Sequence, residues 1–346
     1  MPERRRRRAI LRDERITLAH GAGGKATRDL VEALFLEAFG SDALAPLGDS
    51  AVVSPPSGRL ALTTDSYVVR PLSFPGGDIG ELAVNGTVND LAVAGARPLW
   101  LTAGFVIEEG LPVATLRELV ASMAAAALSA GVELVAGDTK VVERTKADGL
   151  YVTTAGVGVL EHDLVLGPER VRGGDRVLLS GTLADHGMAV MIARGDLKLE
   201  GDVRSDTAPV NQLAGTLLAL GDALRWMRDP TRGGLATALN ELAAQSGLAV
   251  RLREEALPVD PAVNAACEIL GIDPLYVANE GKLVAVVAAE AAGEALARLR
   301  AHPLGARAVE IGVVEDEPES MVVLDTTLGG SRIVDVLVGD PLPRIC

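Results

Sequence analysis

Five aspartates and one cysteine carry the first chemistry this sequence offers. Asp49 stands in Gly-Asp-Ser, Asp65 in Thr-Thr-Asp-Ser, Asp90 in Asn-Asp, Asp138 in Gly-Asp-Thr-Lys and Asp229 in Arg-Asp-Pro-Thr-Arg-Gly-Gly. Each setting reads as a turn. Asp65 and Asp138 fall just after predicted strands, where ligands gather in α/β folds. Mg2+ is a hard cation that takes a few carboxylates together with phosphate oxygens and water. Aspartates from several loops therefore suit magnesium held against a triphosphate. Singly, each is an ordinary cap or turn residue, so the signal lies in the set. Cys346 closes the tail Asp340-Pro341-Leu342-Pro343-Arg344-Ile345-Cys346. Its prolines keep this tail out of a helix. A thiol with no chain beyond it either reaches into a site elsewhere or is an ordinary free terminus.

Other motifs are weaker alone. His20-Gly21-Ala22-Gly23-Gly24-Lys25 precedes a predicted helix over Ala26–Phe39. Its backbone N–H groups either cradle phosphate or belong to a flexible linker. It fits neither a Walker A loop nor a dinucleotide fingerprint, which follows a strand. Arg232-Gly233-Gly234 is a comparable anion-site candidate. Lys140 lies two residues past Asp138. Glu280, in Ala278-Asn279-Glu280-Gly281-Lys282, precedes the apolar strand Leu283–Ala288, and a surface turn explains it equally well. His186 reads as part of a helix start. Four histidines, and a Cys267 buried by pattern, give no zinc-site spacing.

The elements that must hold these residues follow from periodicity. Leu60–Thr64, Val132–Ala136 and Tyr151–Leu160 read as strands. Asp78 with Glu81 three residues on forms a capping box, and Glu81, Asn85 and Asn89 then lie on one helical stripe. Leu116, Leu119, Val120 and Met123 form the apolar face of a second helix, ended by Gly131. Gly173-Gly174-Asp175 marks a boundary. Beyond it come strand Arg176–Ser180, helices near Gly187–Arg194, Leu213–Leu224 and Leu235–Gln245, and strands Ala249–Leu252, Leu283–Ala288, Ala308–Val314 and Met321–Leu324. The division is a leader over 1–45 with the glycine-rich segment, an α/β half over 46–160, a second over 170–325, and a tail over 329–346.

A chain of 346 residues suits two domains. Its hydrophobic share is 48% but aromatics are only 3%, so the core is built of Ala, Val, Leu and Ile. A net charge of −14 speaks against nucleic acid or an anionic membrane as partner. Two distant cysteines suit a reducing cytoplasm. Arg4–Arg8 is followed by charged Leu11-Arg12-Asp13-Glu14-Arg15 and so reads as a basic arm rather than a secretory signal. No apolar run is expected to reach the ~18 residues that span a bilayer.

Together, several segments resemble the HypE family of hydrogenase maturation proteins. They are His20–Gly24, Phe74-Pro-Gly-Gly-Asp-Ile-Gly80, Asn85-Gly-Thr-Val-Asn-Asp-Leu91, Gly137-Asp-Thr-Lys140, Arg228-Asp-Pro-Thr-Arg-Gly-Gly234, Asp273-Pro-Leu-Tyr-Val-Ala-Asn-Glu-Gly281 and the terminal Pro343-Arg-Ile-Cys346. The likeness runs from about residue 16 to the end. It implies an α/β (α+β) PurM-like fold of two domains. N-terminal strands would form a barrel across a homodimer, and the C-terminal tail would be flexible from Gly329-Gly330. ATP and Mg2+ are implied as cofactors. Asp49, Asp65, Asp90 and Asp229 are implied on the metal. Asp49, Asp65, Asn89, Asp90, Gly137, Asp138 and Thr139 are implied on the nucleotide. The implied reaction is ATP-dependent dehydration of a carbamoyl group on Cys346 to a thiocyanate. The carbamoyl group would come from HypF, and cyanide would pass to iron on a HypC–HypD complex. Glu280 is then assigned as base and Lys140 as charge stabiliser, or the reverse.

Two other readings remain. A sister kinase or synthetase acting on a free small molecule has no use for a terminal cysteine. Selenophosphate synthetase-like members also carry a cysteine or selenocysteine in the glycine-rich region, where His20–Lys25 has none. A non-catalytic scaffold presenting Cys346 has no need of the aspartates, Lys140 and Glu280.

Overall fold

The computed structural model describes residues 11–48, 50–195 and 202–337. The expectations on Arg4–Arg8, Asp49 and Cys346 therefore lie outside the described residues. The glycine-rich segment leads into one continuous helical run: α1 (Lys25–Leu30), a wider π-type turn (Val31–Leu36) and α2 (Glu37–Phe39). Gly21 permits this arrangement, because a Cβ there would stand 2.7 Å from the backbone N of Val141.

The first sheet is built from β1 (Arg59–Tyr67), β4 (Arg97–Glu108), β5 (Glu133–Val142) and β6 (Leu150–Leu160), in the order β1-β6-β4-β5. Between β1 and β4 lie the small hairpin β2 (Ser73–Phe74) and β3 (Gly77–Asp78), then helix α3 (Ile79–Val93). The Asp78 carboxylate accepts from Gly80 N at 2.7 Å and Glu81 N at 3.0 Å, which is the N-cap half of the expected capping box. Such a cap stabilises a helix by about 1 kcal/mol. Helix α4 (Val113–Ala130) ends at Gly131 with φ +71, again as read. It is long and apolar enough to cross a membrane, because alanines fill the positions around Arg117 and Glu118. Its face of Leu116, Leu119, Val120 and Met123 is nevertheless buried in the core with α3.

A seven-stranded sheet forms the second half. Its strands are β7 (Arg176–Leu179), β8 (Leu224–Arg228), β9 (Ala249–Arg253), β10 (Val284–Val287), β11 (Val309–Glu315), β12 (Val322–Asp325) and β13 (Ser331–Ile333), ordered β13-β12-β9-β11-β7-β10-β8. Helices α5 (Asp185–Ala193), α6 (Asn211–Leu218), α7 (Gly234–Ser246), α8 (Pro261–Leu270) and α9 (Ala292–Arg300) complete it. The cores of the halves are continuous. Ala92 and Val93 of α3 are buried with α6, α9 and β10, while Met188 and Cys267 of the second half join the first half's core. That is why α3 is buried nearly all round, including Asn85 and Asn89 of the expected polar stripe.

Among the described residues the first sheet is open in one chain, with β1 and β5 as its edges; the barrel expected across two copies is not a property of a single chain. Other expectations need correction. Asp65 and Asp138 lie inside β1 and β5, and Asp90 lies inside α3, so none of the three is in a turn. The helix expected over 213–224 stops at Leu218, and Leu224 opens β8. The hinge expected at Gly329-Gly330 is a hairpin turn, with Thr326 N donating to Gly330 O at 2.8 Å. Beyond it β13 pairs with β12, Val334 is buried, and Tyr276 Oη donates to Asp335 O at 2.8 Å. The tail is thus docked at least as far as Asp335.

Candidate active site

The predicted site residues fall into two separate pockets. One is a small acidic pocket between the halves, lined by Asp65, Tyr67, Asp90, Asp229, Arg232 and Glu280. Its free volume is about 20 Å³, the space that holds roughly one water. The other is a cavity of about 550 Å³, lined by Gly21, Gly23, Gly24, Thr27 and the run Gly137-Asp138-Thr139-Lys140. Gly48 and Ser50, the chain neighbours of Asp49, also line it. Its size is that of a small-molecule site.

Sheet register fixes how far apart the two lie. Asp65 pairs with Thr154, Thr154 with Ala103, and Ala103 with Gly137, so Asp65 and Gly137 end one row across four strands. At about 4.8 Å per strand spacing, that row is roughly 14 Å long. Glu280 therefore shares a pocket with Asp65, Asp90 and Asp229, but Lys140 does not. Strand alternation also separates neighbours. Asp138 and Lys140 are exposed and share the open face of β5, bridging each other at 4.0 Å.

The acidic pocket is crowded with charge. Thr63 Oγ1 donates to Asp90 Oδ2 at 2.8 Å, and Arg232 reaches Asp65 Oδ1 at 2.9 Å. Burial pushes the Asp229 carboxyl up to about 7, and the nearby Asp90 adds to it. Burial also drives Glu280 well above the usual carboxylate range, with Asp229, Asp206 and Asp65 adding and Arg232 opposing. Asp90 is raised by burial too, although its bond from Thr63 works the other way. Burial, with Asp65 close by, keeps the Tyr67 phenol protonated far above its ordinary range. Such a set of oxygen donors with too little positive charge suits a hard divalent cation. Among the described residues no three acidic, histidine or cysteine side chains close into a cation cage on their own.

Asn89 does a different job from the expected nucleotide contact. It is buried, and its side-chain amide donates to Ala208 O at 3.1 Å and Glu280 O at 3.0 Å while its oxygen accepts from Val210 N at 2.7 Å. Both amide donors are therefore committed to backbone across the seam. Asn279 ties the Asp229 loop to the Glu280 loop in the same way, donating to Pro230 O at 3.0 Å and accepting from Ala184 N at 2.8 Å. Sequence reasoning missed Tyr67, although it lies two residues past Asp65 and hence on the same strand face. It also missed Asp206, which no local pattern marks.

This architecture has known counterparts. Residues 47–160 match the N-terminal domain of AIR synthase related protein, and residues 172–325 match its C-terminal domain. The chain is 54% identical to carbamoyl dehydratase HypE of Bradyrhizobium diazoefficiens over 341 residues, 98% of this chain and 99% of that one. Identity to carbamoyl dehydratase HypE of Escherichia coli K12 is 46%, covering 96% and 99%. The fold superimposes on a crystal structure of hydrogenase maturation protein HypE in complex with ATP with a TM-score of 0.91 and 45% identity, covering 95% and 99%. A crystal structure of a HypE–HypF complex matches at TM-score 0.78 and 48% identity, covering 89% and 99%. Thiamine monophosphate kinase from Aquifex aeolicus, at TM-score 0.60 and 22% identity, shares the fold alone. Similarity of this depth runs the length of both halves, and the chain belongs to the HypE family of hydrogenase maturation proteins.

Proposed function

We propose that the protein is an ATP-dependent carbamoyl dehydratase, a lyase that converts an S-carbamoyl group on its own Cys346 to a thiocyanate. The cyanide so formed would serve the iron of a nickel–iron hydrogenase. The observation that carries this reading is Glu280, buried and proton-hungry among Asp65, Asp90 and Asp229. Relatives named carbamoyl dehydratase, and one crystallised with ATP, support it.

The chemistry asks for two steps. The carbamoyl oxygen takes the γ-phosphoryl group of ATP, releasing ADP and turning a poor leaving group into a good one. Loss of the remaining N–H proton then expels phosphate and leaves the carbon–nitrogen triple bond. Bound Mg2+ supplies charge neutralisation for the phosphates. Asp65, Asp90 and Asp229 are the described residues that would hold it, with Asp49 as the fourth expected ligand. Burial and its acidic neighbours raise the proton affinity of Glu280. Neutralising its acidic neighbours lowers its proton affinity and frees it to act as the base. Lys140 carries an exposed ammonium suited to phosphate charge, in the cavity where Gly137, Asp138, Thr139 and the glycine-rich loop would receive the nucleotide.

One chain keeps these two halves of the chemistry roughly 14 Å apart or more. We assign their meeting to a homodimer in which the open sheets of two copies complete a barrel. The uncovered face of β1, with Leu60 46% and Leu62 74% exposed, supports that assembly. Sedimentation of the full chain as a monomer at working concentration would count against it. HypF is the proposed carbamoyl donor, in line with the HypE–HypF complex, and HypC–HypD the proposed acceptor. Domains over 46–160 and 170–325, a departing tail, and a cytoplasmic setting belong to the same reading.

Intact mass spectrometry of the C-terminal peptide tests the whole proposal. With HypF, carbamoyl phosphate and then Mg-ATP, Cys346 is expected to gain one carbamoyl group and then lose one water. An unmodified Cys346 beside an active HypF would overturn it.

A further inference from the structure

Residues 203–210 cross the seam between the halves without helix or strand. They are held on both sides. Ser205 N donates to Pro75 O at 2.7 Å, and Asn85 Nδ2 donates to Thr207 Oγ1 at 3.2 Å. At the centre is Asp206, whose side chain is only 3% exposed. Three consecutive residues donate to this one carboxylate: Glu280 N at 3.2 Å, Gly281 N at 3.2 Å and Lys282 Nζ at 3.1 Å. Gly281 makes the approach possible, since a Cβ there would stand 1.8 Å from Asp206 O. From the opposite side Asn89 donates to Glu280 O at 3.0 Å.

Resting on the reading of Glu280 as the base, we propose that Asp206 is a positioning residue that locks the Glu280 backbone in the acidic pocket. The grip is strong because the carboxylate is ionised. Burial raises its proton affinity, but Lys282, His186 and the N–H donors together outweigh that and hold it below the usual range. Hydrogen bonds to an ionised acceptor are about twice as strong as neutral ones. A buried charge with three donors also tolerates little displacement. Ser205 shapes the turn that delivers it: its Oγ accepts from Thr207 N at 3.1 Å and lies 2.8 Å from His186 Nδ1. None of these groups lines the acidic pocket, so Asp206 acts through Glu280 rather than on substrate.

The test is single-turnover dehydration of the carbamoylated full chain, followed by mass at varied Mg-ATP. Asp206→Asn is expected to slow the step at saturating Mg-ATP about ten- to a hundredfold, the loss that a misplacement of about 1 Å brings. The half-saturating Mg-ATP concentration is expected to stay within about twofold, and Asp206→Glu to recover part of the rate. A wild-type rate in Asp206→Asn overturns the proposal, and so does an equal loss in nucleotide affinity. Should Asp206→Asn fail to fold by circular dichroism, Ser205→Ala decides. It keeps the charge and is expected to slow the step about threefold or more at unchanged half-saturation, and a wild-type rate overturns the proposal. Glu280→Gln is run alongside. A wild-type rate there overturns the base reading together with this proposal. An inactive Glu280→Gln beside a wild-type Asp206→Asn overturns this proposal alone.

Discussion

Compare the acidic pocket with the glycine-lined cavity at the other end of the same sheet row. The first is small and short of positive charge, and the backbone of its Glu280 is gripped by the side chains of Asn89 and Asp206 on both sides. The second is wide, and Asp138 and Lys140 at its rim are 75% and 69% exposed. Tyr67, Asp90, Asp229 and Glu280 in the first are pushed above their ordinary proton affinities by burial. The pair at the rim of the second stands in water, where an ion pair is worth little. Strain and rigidity thus collect where bonds would be made and broken, and openness where a large ligand would dock.

The largest expected break in this contrast is on turnover. Glu280→Gln keeps the side-chain shape and removes the proton acceptor. It is expected to cut dehydration of carbamoylated Cys346 by about a hundredfold or more while leaving ATP binding intact. Mass spectrometry reads the first and calorimetric titration the second, and comparable losses in both would place Glu280 in binding instead.

Next comes stability against pH. The Asp229 carboxyl is pushed up to about 7 in the folded chain, above its unfolded value of 3.8. The folded chain therefore binds more protons than the unfolded chain between those values. Stability is fully present below about 4 and falls as pH rises towards 7, by on the order of a few kcal/mol. Asp229→Asn cannot titrate. Its melting temperature is expected to fall less between pH 5 and 8, and to exceed wild type at pH 8 without Mg2+. Adding Mg-ATP at pH 8 should raise the wild-type melting temperature more than that of the variant. Parallel melting curves for both proteins would deny the pocket its charge strain.

Lys140→Met sharpens the other side of the comparison with the smallest effect. Its melting temperature is expected to match wild type, because its bridge to Asp138 is long and solvated. Dehydration is expected to slow about tenfold. A melting shift of several degrees would show that Lys140 holds structure.

The comparison also shows which features the sequence made legible. Asp78 and Gly131 could be read because caps are local: a carboxylate over two free N–H groups, and a left-handed residue at a helix end. Asp65, Asp138 and Asp90 were recognisable as a set but misplaced as turns. β5 runs through Gly-Asp-Thr-Lys because β4 supplies its ladder, and its polar residues face outward from the sheet. β8 was missed, with its first residue Leu224 read as the end of a helix, since a five-residue strand beside leucines has no period of its own. Lys140 and Glu280 were expected to work together, and a single chain does not bring them together. The distance across a sheet depends on strand order, which local pattern does not encode. Asn89 was placed on the nucleotide by resemblance alone, since a helical stripe gives its direction but not what lies opposite.

The docking of β13 turns the last residues into a leash of fixed length. Its post is Asp335, held by Tyr276, which stands four residues before Glu280 in the same stretch of chain. Cys346 stands eleven residues past Asp335. A fully drawn chain covers at most about 3.3–3.6 Å per residue, so the thiol has a radius of roughly 36–40 Å from that post. On the proposed function, a partner that would load or unload the sulfur must bring its own reactive centre inside that radius.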